Sequence, residues 1–135
     1  MSSSVFQPVL LKHANRLINH GPTVLVTGAH EGKRNIMAAA WSMPVEFEPP
    51  RIAIVIDKTT FTRELIEGSG VFGICIPGAA AIDLTYSVGR VSGREHDKVS
   101  ALAVPVVVGS ETGVPLVESG CAAWLECRRL PEKHT

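Results

Sequence analysis

The sequence predicts a mainly β protein with a few short helices (α+β), its strands arranged as an antiparallel barrel. Three observations carry that expectation. Short β-branched and aliphatic runs recur along the chain, the first of them joined by links of hairpin length, and helical signals are few and brief. A doubly wound sheet would instead alternate each strand with a helix of three or four turns. With 135 residues and neither repeat, linker nor composition shift, the chain reads as one domain, 1–135, large enough to bury a core.

Thr23–Thr27 is rich in β-branched residues and reads as a strand. Gly28-Ala29-His30-Glu31-Gly32 reads as a turn, and Asn35 to Met43 as the return strand of a hairpin. Pro44 and Pro49-Pro50 stop that strand, because proline lacks the N–H that a ladder needs. Ile52–Ile56 is a continuous apolar run, expected to be a strand buried on both faces. Thr62–Glu67 fits a short helix ended by Gly68 and Gly70, with Thr60 or Thr62 as its cap. Val71–Ile76 follows as a strand up to Pro77-Gly78, and Ala79 to Val88 as a second helix. Val104–Val108 and Ala122–Leu130 complete the expected strands.

Thirteen basic residues balance thirteen acidic ones, and no basic stripe carries interleaved aromatics, which argues against a nucleic-acid partner. No apolar run approaches membrane-spanning length, and Val9-Leu10-Leu11 is too short for a signal core, so a cytoplasmic protein without membrane partners is expected. Cys75, Cys121 and Cys127 form no close pair of the metal-binding type and read as reduced thiols. His13, His20, His30, His96 and His134 lack ligand spacing, so no metal site is expected. A near-neutral apolar domain with an exposed strand edge points to a homo-oligomer.

Three segments could carry function. In Asn35–Pro44 the small residues Ala38, Ala39 and Ala40 would let a flat ligand lie close to the strand backbone, with Trp41 as a wall beside it; an ordinary half-buried strand is the plainer reading. Asp57-Lys58-Thr59-Thr60-Phe61-Thr62-Arg63 ends a strand and starts a helix. Free N–H groups, threonine hydroxyls and a cation there would suit a phosphate monoester. The plainer alternative is a capped helix with a solvated lysine. Gly89–Lys98, with two glycines and Ser92, could wrap a phosphate or be a solvated excursion. No side chain stands out as acid, base, nucleophile or metal ligand, so chemistry here would fall to a bound cofactor.

Taken in order, these segments resemble the flavin reductase-like family, the FMN-binding split-barrel proteins that include flavoredoxins. The resemblance runs from about Asn15 to Arg128. It rests on Pro22-Thr23-Val24-Leu25-Val26-Thr27, Asn35 to Pro44 with Pro49-Pro50, Lys58 and Thr62, and Ser92-Gly93 with Asp97-Lys98. It implies a split β-barrel flavoprotein that is a homodimer, with FMN held between subunits. Asn35 and the backbone of Met37, Ala38, Ala39, Ala40 and Trp41 would line the ring and ribityl chain. Asp57, Lys58 and Thr62 would hold the phosphate, and Ser92, Gly93 and Lys98 would close over the cofactor. The family's members usually run several dozen residues past the strand holding Trp124 and Cys127, so the resemblance implies either that one or more C-terminal barrel strands are lacking from this sequence or that the barrel is closed some other way.

The function so implied is an oxidoreductase passing hydride from NADH or NADPH to flavin. A flavin-binding electron carrier without nicotinamide turnover is the alternative, and a small β-barrel interaction module a third reading.

Overall fold

A computed structural model describes residues 6–18 and 23–131. His20, Pro22 and His134 lie outside the described residues.

The expected first hairpin forms as β1 (Val24–His30) and β2 (Lys33–Ala39), joined at Glu31–Gly32, both with positive φ. Gly28 belongs to β1 and not to the turn, because the ladder continues through Gly28↔Asn35 to His30↔Lys33. The return strand does not run on to Met43. It stops at Ala39, and a separate pair follows, β3 (Ser42–Phe47) and β4 (Pro50–Ile54), with a register shift between Pro44 and Glu46. The Trp41 carbonyl accepts from Val55 N–H at 2.9 Å, which hands the chain from its β1 partner to its β4 partner.

The Ile52–Ile56 segment is also not buried on both faces. Ile52, Ile54 and Ile56 pack inward, while Ala53 and Val55 face solvent, because the β3–β4 ribbon covers the main sheet with one face only.

Helix α1 (Phe61–Ser69) is capped by Thr60, whose hydroxyl accepts from Arg63 N–H at 3.3 Å, and is closed by left-handed Gly70. β5 (Val71–Pro77) follows, then a single 3-10 turn at Ala79–Ala81 running into α2 (Ile82–Val88). The Val104–Val108 strand begins only at Val106. As β6 (Val106–Val108) it pairs with β7 (Pro115–Val117), and the last strand is β8 (Cys121–Arg128). Three elements were not expected: β7, the one-turn helix α3 (Lys98–Ala101) and a 3-10 helix at Leu11–Leu17.

The main sheet has the order β2-β1-β5-β8, antiparallel throughout. Strand alternation divides its side chains between two cores. Leu25, Ile36 and Cys75 lie in one cluster, with Val117 of β7, and Val24, Val26 and Ile74 in the other, with Ile66 of α1. Each fully buried aliphatic side chain contributes roughly 1.5–3 kcal/mol, so the two clusters dominate the stability. Gly28 fixes where α1 rests: a Cβ there would stand 3.3 Å from Leu65 Cβ, so the bare backbone admits the helix. That contact brings the start of α1 over β2.

Candidate functional site

The site is built around Asn35 of β2, opposite Gly28 in the register. Its Nδ2 donates to Thr62 Oγ1 at 2.8 Å, and both side chains are buried. Thr62 is therefore a wall residue of the first turn of α1, and Thr60 is the cap. Asn35 Oδ1 is buried without a hydrogen-bond partner. A buried acceptor left in this way costs about 1–3 kcal/mol.

The loop from Gly89 to Asp97 folds over this amide. Gly93 lies so close that any Cβ there would collide with Asn35 Oδ1. Two sets of contacts hold the loop down. Arg94 donates to the Thr59 carbonyl at 2.8 Å, pairs with Glu64 at 2.5 Å and lies over the Phe61 ring. Arg34 of β2 pairs with Asp97 at 3.2 Å and donates to Ser100. Such half-exposed ion pairs contribute about 0.2–1 kcal/mol each, so the loop can lift at small cost. Ser92 shapes the loop by accepting from Arg94 N–H at 3.2 Å.

The turn before α1 is ordered by Asp57, whose Oδ1 accepts from Thr59 N–H at 2.8 Å and from the Thr59 hydroxyl at 2.5 Å. Those bonds hold its carboxyl below the ordinary 3.8. Asp57 is thus an anion engaged in its own turn. Lys58 beside it is exposed and makes no ion pair among the described residues. Arg63 is spent elsewhere, on Glu67 at 3.0 Å and the Ile56 carbonyl at 2.9 Å.

Residues 16–134 match the family described as flavin reductase like domain. The chain belongs to the flavin reductase-like domain family. This flavin reductase-like domain is 63% identical, over 95% of its length, to the uncharacterised protein YddH of Escherichia coli (strain K12), of which it spans 69%. The structure of an FMN-binding domain of a flavin reductases-like enzyme from Shewanella baltica OS155 superposes with a TM-score of 0.86. The two are 43% identical, and the match covers 92% of this chain and 65% of that one. Flavoredoxin from Methanosarcina acetivorans gives a TM-score of 0.72 at 31% identity, over 79% of this chain and 56% of that one. The domain thus spans roughly two thirds or less of these proteins, and its fold is the FMN-binding split barrel.

In this flavin reductase-like domain the structure brings together Asn35, Thr62 and Gly93, with Ser92 in the covering loop and Asp57 and Lys58 in the turn before α1. Lys98 stands apart. It is buried, and its Nζ donates to the carbonyls of Ile36 at 2.9 Å and Val88 at 2.7 Å, tying the end of α2 to β2. Burial pushes its pKa below the ordinary 10.5. Ala38 packs into the first core cluster, and Met37 and Ala39 against the second. Ala40 and Trp41 are exposed.

Arg94, Arg34 and Glu64, which latch the loop, were missed by the sequence reading; the Gly93-Arg94 adjacency was their one available signal. A groove of about 710 Å³ lies away from Asn35, between β4, α1 and β8, and is lined by Ile52, Ile54, Phe72, Leu125 and Cys127 among others. Among the described residues no cluster of His, Cys, Asp or Glu could hold a metal ion, and no helix is long and apolar enough to cross a membrane.

Proposed function

We propose that this chain is the flavin-holding domain of an FMN-dependent oxidoreductase of the flavin reductase type, which passes hydride from NADH or NADPH to flavin. The observation that carries the reading is the junction of Asn35, Thr62 and Gly93, where a buried amide oxygen lacks a donor beneath a weakly latched loop. The residues fit FMN. A ribityl hydroxyl supplies the donor that Asn35 Oδ1 lacks, and the unpaired Lys58 with the threonine hydroxyls at the start of α1 suits a phosphate monoester.

The reading runs along β2. Lys58 and Thr62 take the phosphate end, and Asp57 orders their turn without touching the anion, since a carboxylate would repel it. Asn35 takes the ribityl chain, and the backbone from Met37 to Trp41 lines the ring, with Ala40 leaving clearance. Ser92 and Gly93 close over the cofactor, and Lys98 holds β2 and α2 in place from the buried side. Bound FMN supplies the hydride-accepting ring, so the protein contributes orientation and the exclusion of water. We place a second copy of the chain against the exposed outer face of the β3–β4 ribbon, making the homodimer.

The test is the absorbance spectrum of the purified protein, followed by anaerobic mixing with NADH and with NADPH. A flavin spectrum bleached by either nicotinamide supports a reductase. Flavin bound yet untouched by both, but reduced by dithionite, favours the electron-carrier reading suggested by the flavoredoxin likeness. No flavin retained at micromolar FMN would overturn both.

A further inference from the structure

The covering loop brings a second cation to the turn before α1. Of its two arginines, Arg90 stays on its own side, with its guanidinium 5.2 Å from the centre of the Tyr86 ring. Arg94 reaches across instead, and its contacts all fall between residues 59 and 64. Nη2 donates to the Thr59 carbonyl at 2.8 Å, Nη1 meets Glu64 Oε1 at 2.5 Å, and the guanidinium lies 5.8 Å from the centre of the Phe61 ring. It thus stands beside Lys58 and the first turn of α1, where the Thr60 cap serves Arg63 and leaves the earlier N–H groups open. The same turn holds Thr62 against Asn35, which is 3% exposed and whose Oδ1 has no partner.

We propose that Arg94 is a phosphate-selecting residue, whose guanidinium passes from Glu64 to the phosphate monoester of the flavin when the cofactor binds. The inference rests on the flavin reading of this site and adds to it a residue and an exchange. A phosphate monoester carries a charge of about −1.5 to −2 at pH 7, more than one lysine balances. Asp57 is engaged with Thr59, and Lys58 supplies one positive charge. The charge on Arg94 is cancelled by Glu64 until something displaces that carboxylate. Displacement is easy, because the two side chains are 43% and 54% exposed and water replaces either partner. Arg94 need not leave the Thr59 carbonyl to make the exchange, since only Nη1 changes partner. Gly93, the residue packed on Asn35, is its neighbour in the chain, so a grip on the phosphate also pins the loop over the buried amide. Glu64 in turn keeps the loop down while the site waits.

The test measures FMN and riboflavin affinity by flavin fluorescence on the same proteins, with Lys58→Met as a reference. Arg94→Met should weaken FMN by about tenfold or more and leave riboflavin almost unchanged, and Arg94→Lys should recover part of the loss. Glu64→Gln should tighten FMN severalfold without moving riboflavin, because Arg94 is then released in advance. That gain should vanish when Arg94→Met is added, as coupled residues require. Equal weakening of both flavins in Arg94→Met would leave Arg94 a loop fastener only and overturn the proposal. A Glu64→Gln gain that persists without Arg94 would reduce Glu64 to plain repulsion and overturn the exchange, as would a loss of FMN affinity in Glu64→Gln. If Lys58→Met separates FMN from riboflavin and Arg94→Met does not, the proposal fails while the flavin reading stands. If the unsubstituted protein holds neither flavin, both fail.

Discussion

Lys58 follows directly on a carboxylate and yet makes no ion pair with it, because Asp57 has turned its Oδ1 onto Thr59. The cation is left for a ligand. If Lys58 holds the phosphate as proposed, Lys58→Met removes a charge-assisted bond and should lower FMN affinity by about tenfold or more. Riboflavin, which lacks the phosphate, should bind almost as before in titrations followed by flavin fluorescence; equal weakening of both would place the phosphate elsewhere. The alanines in and just past the end of β2 differ as well. Ala38 faces the first cluster and Ala40 is exposed, so Ala38→Leu should cost about 1–3 kcal/mol by overpacking. Ala40→Leu should leave the thermal midpoint unchanged and weaken flavin binding. Unchanged flavin affinity in Ala40→Leu removes the segment just past β2 from the site.

The loop over Asn35 is tied to α3 through Asp97, which accepts from Val99 N–H and pairs with Arg34. Burial alone would lift its carboxyl, but the bonds from Arg34 and Ser100 outweigh that and hold it below the ordinary 3.8. A carboxyl lowered on folding binds protons more readily in the unfolded chain, so its stabilisation is complete above about pH 4 and is lost as pH falls through the lowered value. Asp97→Asn should therefore flatten the acid limb of a plot of thermal midpoint against pH. An acid limb identical in both proteins would show that the latch carries no such linkage.

Elements that obey a local rule were legible in the sequence. Helix α1 was, through its threonine cap and closing glycine, and so was β5, whose apolar run is buried from Phe72 to Ile76. The break at Ala40–Trp41 was not, since neither residue carries a turn signal and the strand ends only because Trp41 changes partner. β7 has three residues, too few for a period to show. In the site, Asn35 and Thr62 are 27 residues apart, and only the packing of α1 over Gly28 brings them together. Lys98 reads in sequence like any loop lysine, and its burial depends on where α2 happens to end.

At the scale of the molecule, the outer face of the β3–β4 ribbon is left bare. Trp41, Met43, Val45 and Val55 are 73%, 58%, 60% and 60% exposed, a concentration of apolar surface that a monomer rarely tolerates. A dimer is therefore expected by light scattering at micromolar concentration, and Met43→Lys combined with Val55→Lys should yield a folded monomer. A monomeric mass for the unsubstituted protein with flavin bound would exclude the dimer.

The outermost strand of the main sheet, β2, would ordinarily present open backbone groups along its free side. Lys98 occupies the Ile36 carbonyl there, with α2 and α3 packed alongside, so an intruding chain finds the template already taken. A lysine that only the family resemblance cast as a cofactor ligand is thus expected to shield this edge against fibril growth. Lys98→Met, similar in length but without a donor, should form thioflavin-positive aggregates on storage while the native protein stays clear, and equal clarity in both would show that the flanking helices protect that edge by themselves.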